Sequence, residues 1–204
     1  MQGKNVRVNT GYLLVSFFAA LSVLAMLERR DAPSFAEVLV PVLAHECGHL
    51  LALLLLGFRI QSLRLEPIGL CIRYTGSERP AAHAAAALAG PLGGLLYAMA
   101  AKALGGETAA LSAGISLLLS AFNLLPIQAL DGGRALAALA RRQLGEEEGE
   151  QLVRSVSTVF RVVLILAGLL FSLLRQGNAL LAAGIWLTLL QKEQLPLVNG
   201  REIR

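Results

Sequence analysis

His45, Glu46 and His49 lie within Val38–Gly57, VLVPVLAHECGHLLALLLLG, a stretch otherwise composed for lipid. Ionisable groups at membrane depth are costly and point to function by default. In a helix, the spacing His-Glu-x-x-His sets two imidazoles at i and i+4, on one face. Both can then ligate one zinc ion, and the glutamate between them lies within reach of the water activated there. The expectation is a zinc hydrolase with its metal inside the bilayer. Between the ligands, Cys47 reads as a free thiol and Gly48 as a place where another helix packs closely behind the metal.

Catalytic zinc takes three protein ligands and leaves one position open. The other histidine, His83, begins a later apolar run and reads as an interfacial side chain rather than a ligand. The carboxylates near apolar stretches are Glu66, Glu107 and Asp131. Asp131 stands out, because Pro126 before it and Gly132-Gly133 after it let the backbone unwind and turn a carboxylate inward. It could also cap the helix that follows. Asn123, eight residues earlier, carries an amide able to bind a substrate backbone or a neighbouring carbonyl.

Taken together, HECGH on one apolar segment and NLLPIQALDGG far downstream resemble the site-2 protease (M50) family of intramembrane zinc metalloproteases. The close Asn-Pro-Asp-Gly spacing most resembles the branch that contains the bacterial stage IV sporulation protease. The resemblance implies a zinc metalloendopeptidase with one Zn2+ per chain, held by His45, His49 and Asp131, and Glu46 as the catalytic general base. It also implies substrate-binding roles for Asn123 and Pro126. Ala89-Gly90-Pro91 resembles the family's Gly-Pro motif, although Gly94 stands where the family commonly has asparagine. Neither an inserted PDZ domain nor the nucleotide-sensing domain of the sporulation branch is expected.

The elements must position these groups in a membrane. The chain of 204 residues is 55% hydrophobic and only 16% charged, with mean hydropathy +0.63. Soluble domains carry about 25% charged residues. The fold class expected is an all-α polytopic membrane protein, forming one membrane-embedded domain over residues 1–204. Six transmembrane helices are predicted, at about 11–27, 38–57, 81–104, 109–125, 156–174 and 179–190, with Pro41 in the first turn of the second. Between the second and third, the alternation through Phe58, Ile60, Leu63, Leu65, Leu70, Ile72 and Tyr74 predicts a small β-hairpin or sheet. Its turn falls near Glu66–Gly69, at the membrane surface, and one of its strands could hold an extended substrate. Gly90-Pro91 and Gly93-Gly94 are expected to disturb the third span. Arg134–Leu144 reads as an interfacial helix with Arg134, Arg141 and Arg142 on its polar side, and Gly145–Glu150 as an acidic turn.

With six spans both termini share a side. Thirteen Lys and Arg fall there and four on the other, Arg161 being left out. The positive-inside rule then places both termini in the cytoplasm of a multi-pass cell-membrane protein, with water reaching the zinc from that side. The expected substrate is a membrane-spanning or membrane-associated protein, cleaved in or near a transmembrane segment. A regulatory membrane partner is compatible with this reading, and no nucleic-acid partner is expected. A silent homologue that only binds helices would not need Glu46. A transporter or channel would show a repeat or polar residues lining several spans, and the sequence reads as having neither.

Overall fold

The structure, a computed structural model, describes residues 6–9, 35–66, 69–76 and 79–175. The helices expected at 11–27 and 179–190 lie outside them. Among the described residues, five helices and three strands follow in order: β1 (Val6–Asn9), α1 (Phe35–Leu55), β2 (Arg59–Glu66), β3 (Gly69–Thr75), α2 (Pro80–Leu104), α3 (Glu107–Asn123), α4 (Asp131–Leu144) and α5 (Glu146–Arg175). Of these, α1 and α2 are long and apolar enough to cross a membrane. Their surfaces carry exposed large apolar side chains, among them Leu43, Leu51, Leu54, Leu92, Leu96 and Met99, as a lipid-facing surface requires.

The interior combines apolar contacts with small and polar side chains. Helix α1 lies against α3 through Val38, Val42, Ile115 and Leu119. A stripe of Ser112, Ser116, Ser120 and Asn123 on α3 is buried at one-turn spacing. Such side chains hold helices together where hydrophobicity gives no drive. Ser116 donates to the Gly94 carbonyl at 2.8 Å. Ser112 donates to the Glu37 carbonyl at 3.1 Å, and that bond has a cause. Pro41 sits inside α1 rather than in its first turn, because the helix begins at Phe35. With no N–H, Pro41 cannot serve the carbonyl four residues back, which is that of Glu37. The Ser112 hydroxyl from α3 takes the missing donor's place.

Helix α2 runs unbroken from Pro80 to Leu104 with Pro91 inside it, so the glycines do not end it. They let it come close. A side chain on Gly48 of α1 would overlap the Ala89 carbonyl, and one on Gly90 would overlap the His49 ring.

The sheet has the order β1-β3-β2, all antiparallel. The hairpin β2–β3 turns where the alternation predicted, pairing Glu66 with Gly69, and carries a bulge between Ile60 and Ser62. Strand β1 adds a third member through Val6↔Tyr74 and Val8↔Ile72; four residues ahead of an apolar run gave no alternation long enough to read. Ile72 and Tyr74 turn inward and pack with Phe58, Leu53 and Ala86, joining the sheet to α1 and α2. Past α4, the chain turns at Gly145, whose φ of 91° lies in the left-handed region. Glu146–Glu148, expected as part of an acidic turn, form the first turn of α5 instead. Carboxylates there face the helix's positive end.

Candidate metal centre

The buried face of α1 presents His45, Glu46 and His49, while Cys47 between them is exposed. Three features put the histidines in place. Ala86 of α2 accepts a hydrogen bond from His49 Nδ1 at 2.8 Å. Gly90 leaves room for the His49 ring. The two imidazoles meet edge to face with centroids 4.9 Å apart.

The third group arrives from far along the chain. Helix α3 ends at Asn123, and the loop 124–130 carries Pro126 and Leu130 back to α4. Ser157 of α5 pins that loop, accepting from the Gln128 N–H at 2.9 Å and donating to the Pro126 carbonyl at 3.3 Å. Ile127 and Leu130 are buried beneath it. Gly133 packs so closely on the Ile127 carbonyl that a Cβ would overlap it. Asp131, the first residue of α4, is thereby held fully buried. It does not cap that helix; the N-cap is Leu130, and no side chain caps it.

His45 Nε2, His49 Nε2 and Asp131 Oδ2 form a near-equilateral triangle. The sides are 3.1 Å (His45–Asp131), 3.2 Å (His49–Asp131) and 3.2 Å (His45–His49). With a neutral His49 donating from Nδ1, its Nε2 is a lone pair. That lone pair then faces a carboxylate oxygen, acceptor against acceptor. One cation at the centre resolves the conflict and satisfies all three atoms. The three side chains could hold a metal ion.

Glu46 is 7% exposed, and its Oε2 has no hydrogen-bond partner among the described residues; the same holds for His45 Nδ1 and Asn123 Oδ1. Asn123 spends its amide N–H on the Leu119 carbonyl at 3.0 Å. Neither Asn123 nor Pro126 joins the triangle; both belong to the segment leading into Asp131. His83 also stays apart: its ring lies 5.0 Å from Phe58, and its Nδ1 is 3.5 Å from the Tyr74 hydroxyl. Burial in this aromatic cluster pushes the Tyr74 phenol above its ordinary range.

Sequence reasoning overlooked one neighbour. Arg134, read as part of the polar side of an interfacial helix, lies with Nη1 3.3 Å from Asp131 Oδ1. Its position three residues after Asp131 on one helix was the available signal.

Residues 17–132 match the model of the M50B-like peptidases, spanning both motifs. The chain belongs to that family. Residues 106–166 also match the model of peptidase family M50. M50 membership makes the protein a metallopeptidase, and α1 and α2 fit it to a membrane. No curated protein matches the chain. Among solved structures, the site-2 protease from Methanocaldococcus jannaschii is similar at 20% identity, covering 98% of this chain and 99% of that one with a TM-score of 0.66. That likeness is one of fold.

Proposed function

We propose that this M50 peptidase is an intramembrane zinc endopeptidase, hydrolysing a peptide bond in or near a transmembrane segment of a membrane protein. The observation that carries this reading is the triangle of His45 Nε2, His49 Nε2 and Asp131 Oδ2, with sides of 3.1–3.2 Å. Zinc bonds of 2.0–2.1 Å at tetrahedral angles separate neighbouring ligand atoms by about 3.3 Å. His45, His49 and Asp131 are therefore the proposed ligands of one zinc per chain. When bound, zinc supplies Lewis acidity toward the scissile carbonyl and lowers the pKa of water.

The chain's own residues do the rest. Glu46, next in sequence to one ligand and buried with a free carboxylate oxygen, takes the proton of the attacking water. It then returns that proton to the leaving amine nitrogen. A transmembrane helix hides its scissile carbonyls in its own hydrogen bonds, so the substrate must unwind before attack. Asn123, with a spare acceptor, and Pro126, at the bend after α3, are proposed to face the unwound segment. The unpartnered polar atoms of His45, Glu46 and Asn123 support hydration of the site, since buried polar groups are normally satisfied by ordered water.

Several finer features belong to the same reading. The protein is a single membrane-embedded domain of about six spans, nearest in motif spacing to the sporulation-protease branch. It sits in the cell membrane with both termini cytoplasmic. The test is cleavage in proteoliposomes against a panel of single-span membrane proteins, wild type beside Glu46→Gln. Wild type should cleave at least one member of the panel, and the variant should lose on the order of 10²-fold or more in rate while keeping its zinc. Equal cleavage by the variant would remove Glu46 as the base.

A further inference from the structure

Asp131 is the buried residue on which the centre turns, and only one of its oxygens faces the histidines. The other, Oδ1, lies 3.3 Å from Arg134 Nη1. The Asp131 side chain has no exposed surface, whereas the Arg134 side chain keeps 22% of its own. This is not an ordinary surface i,i+3 pair, which contributes little. One partner is sealed in the site, and the other reaches in from its rim.

We propose that Arg134 is a positioning residue of the metal centre, which holds Asp131 by Oδ1 and so keeps Oδ2 turned toward His45 and His49. This rests on the reading of Asp131 as a ligand. Three arguments carry it. A carboxylate that ligates through one oxygen leaves the second with lone pairs, and an unpaired one is costly in a buried site. A hydrogen bond to that second oxygen fixes the carboxylate plane, as partners of metal ligands generally do. The geometry also leaves little choice of orientation: Asp131 opens α4 at a sharp entry behind Leu130, and Arg134 stands one turn along on the same face. At Gly132 and Gly133 a Cβ would overlap the preceding loop, so neither position has room for a side-chain donor. Arg134 thus does for Asp131 what the Ala86 carbonyl does for His49.

The experiment measures zinc affinity by chelator competition on the purified full chain. It is paired with the visible spectrum of the cobalt(II)-loaded protein and the melting temperature of the metal-free protein. Arg134→Met should weaken zinc about 10- to 100-fold and alter the cobalt band, with the metal-free melting temperature unchanged. Arg134→Lys, which keeps the charge but loses the planar fork, should recover part of the affinity. Arg134→Ala gives the same test if Arg134→Met does not fold. Unchanged zinc affinity and cobalt spectrum in Arg134→Met would overturn the proposal. So would a loss that Arg134→Lys does not relieve and that tracks a fall in metal-free melting temperature. Asp131→Ala separates the two levels of inference. If it keeps full zinc affinity, the ligand reading fails. If it loses zinc while Arg134→Met does not, only the role of Arg134 fails.

Discussion

His45 and His49 share a helical face because of their spacing, but their ring orientations come from other elements. His49 is turned by the Ala86 carbonyl at 2.8 Å, a contact between residues 37 positions apart that no local pattern encodes. Asp131 was legible as a candidate because a proline and two glycines surround it, although the reading of the residues alone left it competing with a helix-capping role. The structure places it in the first turn without capping and 3.1 Å from His45. Arg134 carried a signal in its spacing to Asp131, but an arginine on an amphipathic helix reads as part of its polar side until its carboxylate neighbour is known to be buried. His45→Ala and His49→Ala should each lose stoichiometric zinc. Glu46→Gln should retain it. Metal analysis of the three purified variants checks this, and a zinc-free Glu46→Gln would mean that Glu46 belongs to the ligand set.

Helix α2 was readable almost to the residue and α1 to within three residues at its start, because an apolar run ended by glycine or a turn has little else to become. What the run does not show is why its glycines are there. Gly48 and Gly90 are contact points of α1 with α2, and a Cβ on Gly90 would overlap the His49 ring. Gly90→Ala should therefore cost about 1–3 kcal/mol through overpacking and displace His49. The measurement is zinc affinity together with thermal melting, and a variant that matches wild type in both would show that the crossing has slack. Pro41 likewise gains meaning only from its neighbour, since the Ser112 hydroxyl serves the Glu37 carbonyl that Pro41 cannot. Strand β1 escaped notice for a different reason. A four-residue strand pairs across more than sixty residues with β3, and such pairing leaves no local period. The start of α5 was missed because a run of glutamates suits both a solvated turn and a helix N-terminus.

At the scale of the molecule, a polar seam of serines, Asn123, His45, Glu46, His49 and Asp131 is buried among the described residues, with large apolar side chains exposed outside it. Composition showed the membrane class, and the two motifs pointed to the family to which residues 17–132 belong. The sidedness rests on where lysine and arginine fall. It predicts that the α2–α3 turn faces outward and the α4–α5 turn faces the cytoplasm. In a Cys47→Ser, Cys71→Ser background, a membrane-impermeant maleimide should label Glu107→Cys in intact cells. It should label Glu147→Cys only after permeabilisation. Both residues are exposed, so the opposite pattern would invert the topology.

The central claim is that one zinc ion is held jointly by α1 and by the first residue of α4. Zinc content of the purified full chain, wild type beside Asp131→Ala, tests it most directly. One zinc per wild-type chain is expected, and its loss from Asp131→Ala, with the helical circular-dichroism signal retained. Equal zinc in both proteins, or none in the wild type, would contradict it.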